Sequence, residues 1–415
     1  MRKRRWHFFA APLFALALVA AACGGDEEPG GGDGSPTGAV EKIDVTVYGQ
    51  GAWTGGVSSL VLPSFQAAQI RFDELNADPN YPANITFQHA DTQGSGDNAP
   101  PIAQEAAQDP NTVAIHGPAF SGESQTSGDT YNDNQIPFIT SSATSVVLTG
   151  FDWDYWYRAV GNDDAQGRLA ADWVANVIQP ENLYILHDNT TYGKPLAETV
   201  ERAARGVGIE IVGKTGIAEP AIDTGTTVDF ASIISDIKAS GAKAVFFGGY
   251  FVDSGPFMNQ AAAAGLDITV ISGDGSVSGD LVELAGEEAV EGTYLLAPSN
   301  IDDEFVDKYN DEYGGEALAI PVYAAEGYDV ASLIGEGIKR SIEGGATEIV
   351  DIRAGIKEFL DSLTPGNAFE GVSKSYSFDP DTHELSTAAD RLYYFYQVAG
   401  GAVKNLGNAV EVLGG

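Results

Sequence analysis

Hydroxyls, aromatic rings and one acid recur at one kind of place in this chain, just after short apolar runs that read as strands. Trp53 and Thr54 follow IDVTVYG, Phe120-Ser121-Gly122 follows TVAIHG, and Ser141-Ser142-Ala143-Thr144 closes IPFITS. Farther along, Tyr192 follows LYILHD, Tyr250 ends AVFFGGY, and Asp274 follows ITVISG. In open α/β sheets ligands bind outside the carboxyl ends of the strands, so these residues belong to one region of the fold. Ser121 can cap the helix that follows it, whose free N–H groups and positive dipole end suit a carboxylate. Ser142 and Thr144 stand one loop further on in the same half of the chain. Asp274, in the other half, can hold an ammonium. A carboxylate seat, an ammonium partner and aromatic walls describe an amino-acid pocket between two lobes.

Covalent chemistry has no comparable constellation. The five histidines are scattered, and neither H-E-x-x-H nor zinc-type Cys/His spacing occurs. The nucleophile-elbow pattern G-x-S-x-G and the phosphate loop G-x-x-x-x-G-K-[ST] are both missing from the sequence. Gly49-Gln-Gly51-Ala-Trp-Thr-Gly55 loosely follows the dinucleotide fingerprint, but with one residue too many between its second and third glycines. Trp53 would also crowd a pyrophosphate there. Asp379-Pro-Asp381-Thr-His383 begins like a calcium loop but has Glu384 where the sixth-position glycine belongs, and reads as a turn. The expectation is a binding protein, not an enzyme, with no cofactor and no metal.

The elements that must position these residues alternate regularly. Strands at 43–49, 85–91, 112–117 and 136–141 are separated by helical patterns at Ser58 to Leu75, around Ile102–Ala107 and near Glu123–Asp133. The cadence restarts with a helix over 165–177, and strands at 183–188, 209–215, 244–250 and 268–273 follow. This predicts an α/β fold of two Rossmann-like lobes, each a parallel-type sheet with helices on both faces. The remainder is too small for a third domain and is expected to return to the first two. The predicted division is 43–161 plus 299–390 for one lobe and 162–298 plus 391–415 for the other, with crossings near Gly161, Pro298 and Asp390.

Composition narrows the partners. Lys plus Arg number 22 and Asp plus Glu 59, so the formal charge is 22 − 59 = −37. Such a chain repels nucleic-acid phosphate, and no nucleic-acid partner is expected. Hydrophobic residues at 43% and aromatics at 10% are those of a globular protein, so the acidity does not imply disorder. Cys23 is the sole cysteine, which excludes an intrachain disulfide.

Arg2, Lys3, Arg4 and Arg5 precede an apolar run from Phe8 to Ala22, the pattern of a secretory signal over residues 1–22. Ala20-Ala21-Ala22-Cys23 resembles the lipobox of bacterial lipoproteins, which implies acylation of Cys23. The Gly- and Pro-rich stretch from Asp26 to Gly38 reads as a flexible tether, giving a lipid-anchored linker over 23–42. The expected location is therefore extracytoplasmic, at the membrane surface.

Several segments, in this order and separation, resemble the leucine/isoleucine/valine-binding family, type I substrate-binding proteins of ABC importers. They are GAWTG (Gly51–Gly55), DNQIPFITSSAT (Asp133–Thr144), LHDNTTYGKPLA (Leu186–Ala197), FFGGY (Phe246–Tyr250), QAAAAGLDITVISGDG (Gln260–Gly275) and FDPDTHEL (Phe378–Leu385). The resemblance implies a type I periplasmic-binding-protein fold with a three-segment hinge, and a monomer that presents its ligand to an ABC permease. It implies that Ser121 and Thr144 bind the ligand's carboxylate and amino group, assisted by the backbone at Ser142. Tyr192 would close over the ligand's backbone end, Asp274 would take the ammonium, and Trp53, Phe120, Tyr250 and Tyr323 would line the side-chain pocket. The family's acid at the Asp274 position is often glutamate, and Leu60 falls where an aromatic often stands. The ligand implied is an amino acid of branched-chain or other apolar type. The alternatives are an amide, urea or aromatic acid, or a sensor that reports to a signalling partner.

Overall fold

The computed structural model describes residues 42–301, 304–313 and 320–414. The expected signal segment, Cys23 and all but the last residue of the predicted linker lie outside the described residues.

The first sheet is built from β1 (Ile43–Gly51), β2 (Ala83–Asp91), β3 (Thr112–His116), β4 (Phe138–Thr140) and β5 (Trp156–Arg158). Their order is β2-β1-β3-β4-β5, and every pairing is parallel. Burial follows position in the sheet. The edge strand β2 buries Ile85 and Phe87 while Asn84, Thr86 and Gln88 face water, whereas the central β3 is buried throughout. Each fully buried aliphatic such as Val113 or Ile115 contributes about 1.5–3 kcal/mol.

The second sheet repeats the plan. It holds β6 (Leu183–His187), β7 (Ile211–Gly216), β8 (Ala244–Gly248), β9 (Thr269–Ser272) and β10 (Tyr294–Ala297), in the order β7-β6-β8-β9-β10. These five are parallel. After β10 comes a small antiparallel ribbon of β11 (Phe369–Glu370) and β12 (Ser375–Tyr376). The last strands, β13 (Tyr394–Ala399) and β14 (Ala402–Asn408), extend the second sheet beside β10, both antiparallel to their neighbours. Sequence reading missed β14, although Gly400-Gly401 is a hairpin signal. Both glycines have positive φ, at 63° and 73°, as a two-residue turn that follows strand twist requires.

Each sheet with its flanking helices forms a lobe, and the chain passes between them more than once. β5 leads to the helix Asp163–Trp173, which packs on the second lobe's helix Gly193–Gly206. β10 leads back to the helix Ala324–Glu343, which lies along Ser58–Ala77 of the first lobe. Gly327 lets these two helices touch, because a Cβ there would collide with the Ser64 backbone oxygen. The segment after β12 returns over β5, where Arg158 N–H donates to the His383 carbonyl at 3.1 Å. Asp379 caps its own turn by accepting from the Asp381 and Thr382 N–H groups, in keeping with the turn read from sequence.

Candidate functional site

Strand order locates the site. In both sheets the winding reverses beside the first strand of the lobe, between β1 and β3 in one and between β6 and β8 in the other. Loops leaving opposite sides of such a reversal splay apart and leave a crevice. The loops after β3, β4, β6, β8 and β9 all reach one small cavity. Leu60, Val61, Ala119, Phe120, Ser121 and Ser142 line it from the first lobe. Tyr192, Tyr250 and Asp274 line it from the second, and Tyr323 from the connection between them.

Asp274 is the electrostatic centre of the cavity. It is 4% exposed and carries no salt bridge among the described residues. Its Oδ1 accepts from Tyr192 Oη at 2.8 Å and Gln166 Nε2 at 2.6 Å, and its Oδ2 accepts from Tyr323 Oη at 2.5 Å. Burial raises its pKa, while those three donors oppose the rise. Tyr192 is itself fixed by the Gly275 N–H, which donates to its hydroxyl at 3.1 Å.

Tyr323 reaches Asp274 at a conformational cost. Its φ of 62° lies in the left-handed region, where a bulky side chain is unfavourable. The backbone is held there by Ser299, whose Oγ accepts from Tyr323 N–H at 2.9 Å and donates to buried Glu326 at 2.7 Å. Lys374 pairs with the other Glu326 oxygen at 2.7 Å.

On the facing wall, Ser142 Oγ donates to the Ala119 carbonyl at 2.8 Å, and Ser121 Oγ accepts from Ser145 N–H at 3.3 Å. Ser121 opens the helix Ser121–Asp133, so the free N–H groups of that helix start at the cavity. Phe120 meets Tyr250 edge-on across the cleft, with centroids 5.5 Å apart. Polar bonds outside the cavity join the two lobes: Ser59 Oγ to Asp280 at 2.7 Å, and Ser145 Oγ to the Thr191 carbonyl at 2.7 Å.

Two expected site residues stand apart from the cavity lining. Trp53 is folded back into the first lobe, stacked on His89 at 3.5 Å and Phe65 at 4.8 Å, with Nε1 donating to the Gly49 carbonyl at 2.7 Å. It is not among the residues that line the cavity. The apolar wall near it comes instead from Leu60 and Val61. Thr144 lies just behind the lining, 1% exposed, and its hydroxyl makes no hydrogen bond.

Sequence reasoning also missed the frame that holds the Thr144 loop. Arg158, fully buried, donates to the Ala143 carbonyl at 2.6 Å and the Ser145 carbonyl at 3.0 Å. The same guanidinium grips Glu384 through Nε at 3.0 Å and Nη2 at 2.9 Å, a two-pronged geometry that suits arginine and carboxylate. Gln166 was missed too. A signal for it existed, since it sits one helical turn after Asp163 on the first helix of the second lobe.

Residues 51–402 match the sequence model of the family described as periplasmic binding protein. The Leu/Ile/Val/Thr-binding protein of Salmonella typhimurium is 28% identical over 260 residues, covering 62% of this chain and 69% of the relative. The Leu/Ile/Val-binding protein of Escherichia coli K12 is 29% identical over 264 residues, covering 63% and 69%. Among solved structures, a leucine-binding protein from Thermotoga maritima superposes with a TM-score of 0.75 at 20% identity, covering 87% of this chain and 97% of that one. The branched-chain amino acid transporter substrate-binding protein of Streptococcus pneumoniae, in complex with isoleucine, gives 0.72 at 23% identity, covering 88% and 100%. The match covers most of the chain, and the chain belongs to the periplasmic binding protein family.

Proposed function

We propose that this protein captures an amino acid of branched-chain or other apolar type between its two lobes and hands it to an ABC permease outside the cytoplasm. The observation that carries this reading is Asp274, a buried acid ringed by neutral donors and faced by the aliphatic carbons of Leu60 and Val61. Neutral donors share a carboxylate's charge without cancelling it; a ligand ammonium would cancel it. The N-terminus of the helix at Ser121 provides the opposite polarity for a ligand carboxylate, with Thr144 and the Ser142 backbone nearby. Phe120, Tyr192, Tyr250 and Tyr323 then enclose the remainder. Capture would proceed by rotation of the lobes, 43–161 plus 299–390 against 162–298 plus 391–415, about crossings near Gly161, Pro298 and Asp390.

The test is a thermal-shift screen followed by calorimetry with leucine, isoleucine, valine, leucinamide, urea, benzoate and 4-methylpentanoate. An amino acid at a hundredfold excess over its Kd should add about 2.7 kcal/mol of stability. The des-amino acid 4-methylpentanoate should add almost none. Stabilisation by benzoate or urea alone would overturn the amino-acid assignment. The same reading takes the protein to be a non-catalytic monomer anchored through acylated Cys23. Cys23→Ser should then move it from the membrane fraction to the medium.

A further inference from the structure

We propose that Asp163 is a second acid of the amine subsite, and that capture of an ammonium expels one proton shared between Asp163 and Asp274. The inference rests on the reading of the ligand as an amino acid.

The geometry begins with the helix Asp163–Trp173, whose first turn carries both Asp163 and Gln166, each buried. Gln166, one turn after Asp163, donates to Asp274 at 2.6 Å and so ties the second lobe's acid to this helix. At its start, the Asp163 N–H donates to the Thr144 carbonyl at 2.9 Å, tying the helix to the loop behind the other wall. Asp163 therefore sits where the two walls meet. Its side chain is fully buried, and neither carboxylate oxygen has a hydrogen-bond partner. The Thr144 hydroxyl lies near enough to Asp163 to favour its ionised form but not within full hydrogen-bond distance, and the Gln166 carbonyl oxygen is unpartnered as well. Two of these three groups are pure acceptors, so the cluster has a single hydroxyl donor for its several acceptor oxygens. An ammonium supplies three.

Charge leads to the same conclusion. The cation facing Asp163 is Arg158, already engaged twice by Glu384 and by two loop carbonyls. The other groups facing it are Asp274 and the phenols Tyr192, Tyr250, Tyr323 and Tyr393, each held well above its ordinary pKa by burial. None of these can balance a second buried negative charge. Burial first and Asp274 second push the Asp163 carboxyl well above the usual carboxylate range. Two carboxyls so placed keep one proton between them. When the ammonium enters, its positive charge stabilises both carboxylates, and the proton leaves to solvent as the ammonium takes its place. The carboxyl O–H bond breaks, a buffer base takes the proton, and nothing is oxidised or reduced.

The experiment titrates leucine into the full-length protein by calorimetry at pH 5.5 to 8.5, in buffers of low and high ionisation enthalpy. Wild type should release close to one proton per leucine near neutral pH, and its affinity should rise with pH, approaching tenfold per unit. Asp163→Asn, nearly isosteric, should abolish the release and flatten the pH profile. The two affinity curves should meet at acid pH and part at alkaline pH. Carbon-13 carboxyl NMR of the ligand-free protein should show one protonated group of the pair at pH 7. Equal proton release in wild type and Asp163→Asn, or two ionised carboxyls at pH 7, overturns the proposal even where leucine binds tightly. If no amino acid in the screen binds while the protonated carboxyl is present, the ligand assignment fails and the shared proton stands.

Discussion

The first lobe brings hydroxyls, backbone groups and aliphatic carbons to the cavity, through Ser121, Ser142, Leu60 and Val61. The second brings two phenols and a carboxylate, through Tyr192, Tyr250 and Asp274. Both lobes use the same strand order and the same reversal beside their first strand. The difference lies in what the loops carry, and on the proposed reading it would divide the recognition of a zwitterion between two bodies. The neutral wall with its helix N-terminus suits the anionic end; the acidic wall suits the cationic end. Neither wall alone can satisfy both ends, so full affinity requires the lobes to be together. A hinge protein that signals occupancy by closure needs that division of labour.

The largest test of this asymmetry removes the charge from the second wall. Asp274→Asn keeps the shape and the bonds that an amide can still make, but leaves a ligand ammonium without its partner. Affinity for the best amino acid should fall by roughly 2–5 kcal/mol. Affinity for the des-amino analogue should change little or improve. Calorimetry of both ligands on both proteins measures the contrast, and equal losses would mean that Asp274 acts on packing alone. The counterpart on the first wall is Ser121→Ala. It should cost about 1.5–3 kcal/mol if the hydroxyl bonds a ligand carboxylate. Because Ser121 also accepts from Ser145 N–H, part of that loss would come from the loop, and an esterified ligand separates the two. Leucine methyl ester should bind wild type and Ser121→Ala with nearly equal, weak affinity.

How much of this was legible depends on how locally each feature is encoded. β3 reads as a continuous apolar run because it is buried on both faces, and β2 reads as an alternation because it lies at an edge. Asp274, Tyr192 and Phe120 were legible because each lies in the loop that follows a strand, and such loops line the cavity. Tyr323 came only through the family resemblance, since no strand precedes it and its aim depends on a left-handed φ. Trp53 obeys the same positional rule but stands outside the cavity lining. Nothing local announces that its ring folds back to bond the carbonyl of Gly49, four residues earlier. The Arg158–Glu384 clamp joins residues 226 positions apart, and pairing over that distance leaves no periodicity to detect. The same limit hid the link between the first turn of the helix Asp163–Trp173 and Asp274, which runs through Gln166 over 108 positions.

A further likeness between the lobes predicts a measurable difference. Each cleft loop is tied by a buried acid: Glu123 accepts from Phe120 N–H in the first lobe, and Asp188 from Thr190 N–H in the second. Burial pushes Glu123 from 4.5 up to about 8, and Asp188 from 3.8 up to about 7. A carboxyl with a raised folded-state pKa binds more protons folded than unfolded. Its stabilising share is therefore complete below the unfolded pKa and is lost as pH climbs through the folded one. Between pH 5 and 7 both groups erode stability, each by up to about 1.4 kcal/mol per pH unit. Between 7 and 8 the erosion comes mainly from Glu123. Urea unfolding across pH 5 to 8.5 should show Glu123→Gln flattening the curve up to pH 8. Asp188→Asn should flatten it only below 7. Parallel curves for both variants and wild type would remove the distinction between the two ties.

The smallest expected effect concerns Trp53 and tests where the first wall ends. Its ring stacks on His89 and Phe65, packs edge-on against Phe87 at 5.7 Å, and does not reach the cavity. Trp53→Leu removes those ring contacts and the bond to Gly49, which should lower stability by about 0.5–1.5 kcal/mol beyond the area lost. Amino-acid affinity should stay within about twofold of wild type, because Leu60 and Val61 remain in place. Leu60→Ala provides the control, since it thins the wall itself and should weaken leucine more than alanine. Both variants would be followed by urea unfolding without ligand and by calorimetry with it. A Trp53→Leu protein that unfolds like wild type but loses tenfold or more in affinity would return the indole to the ligand's surroundings. It would also mean that the ring leaves His89 when the ligand enters.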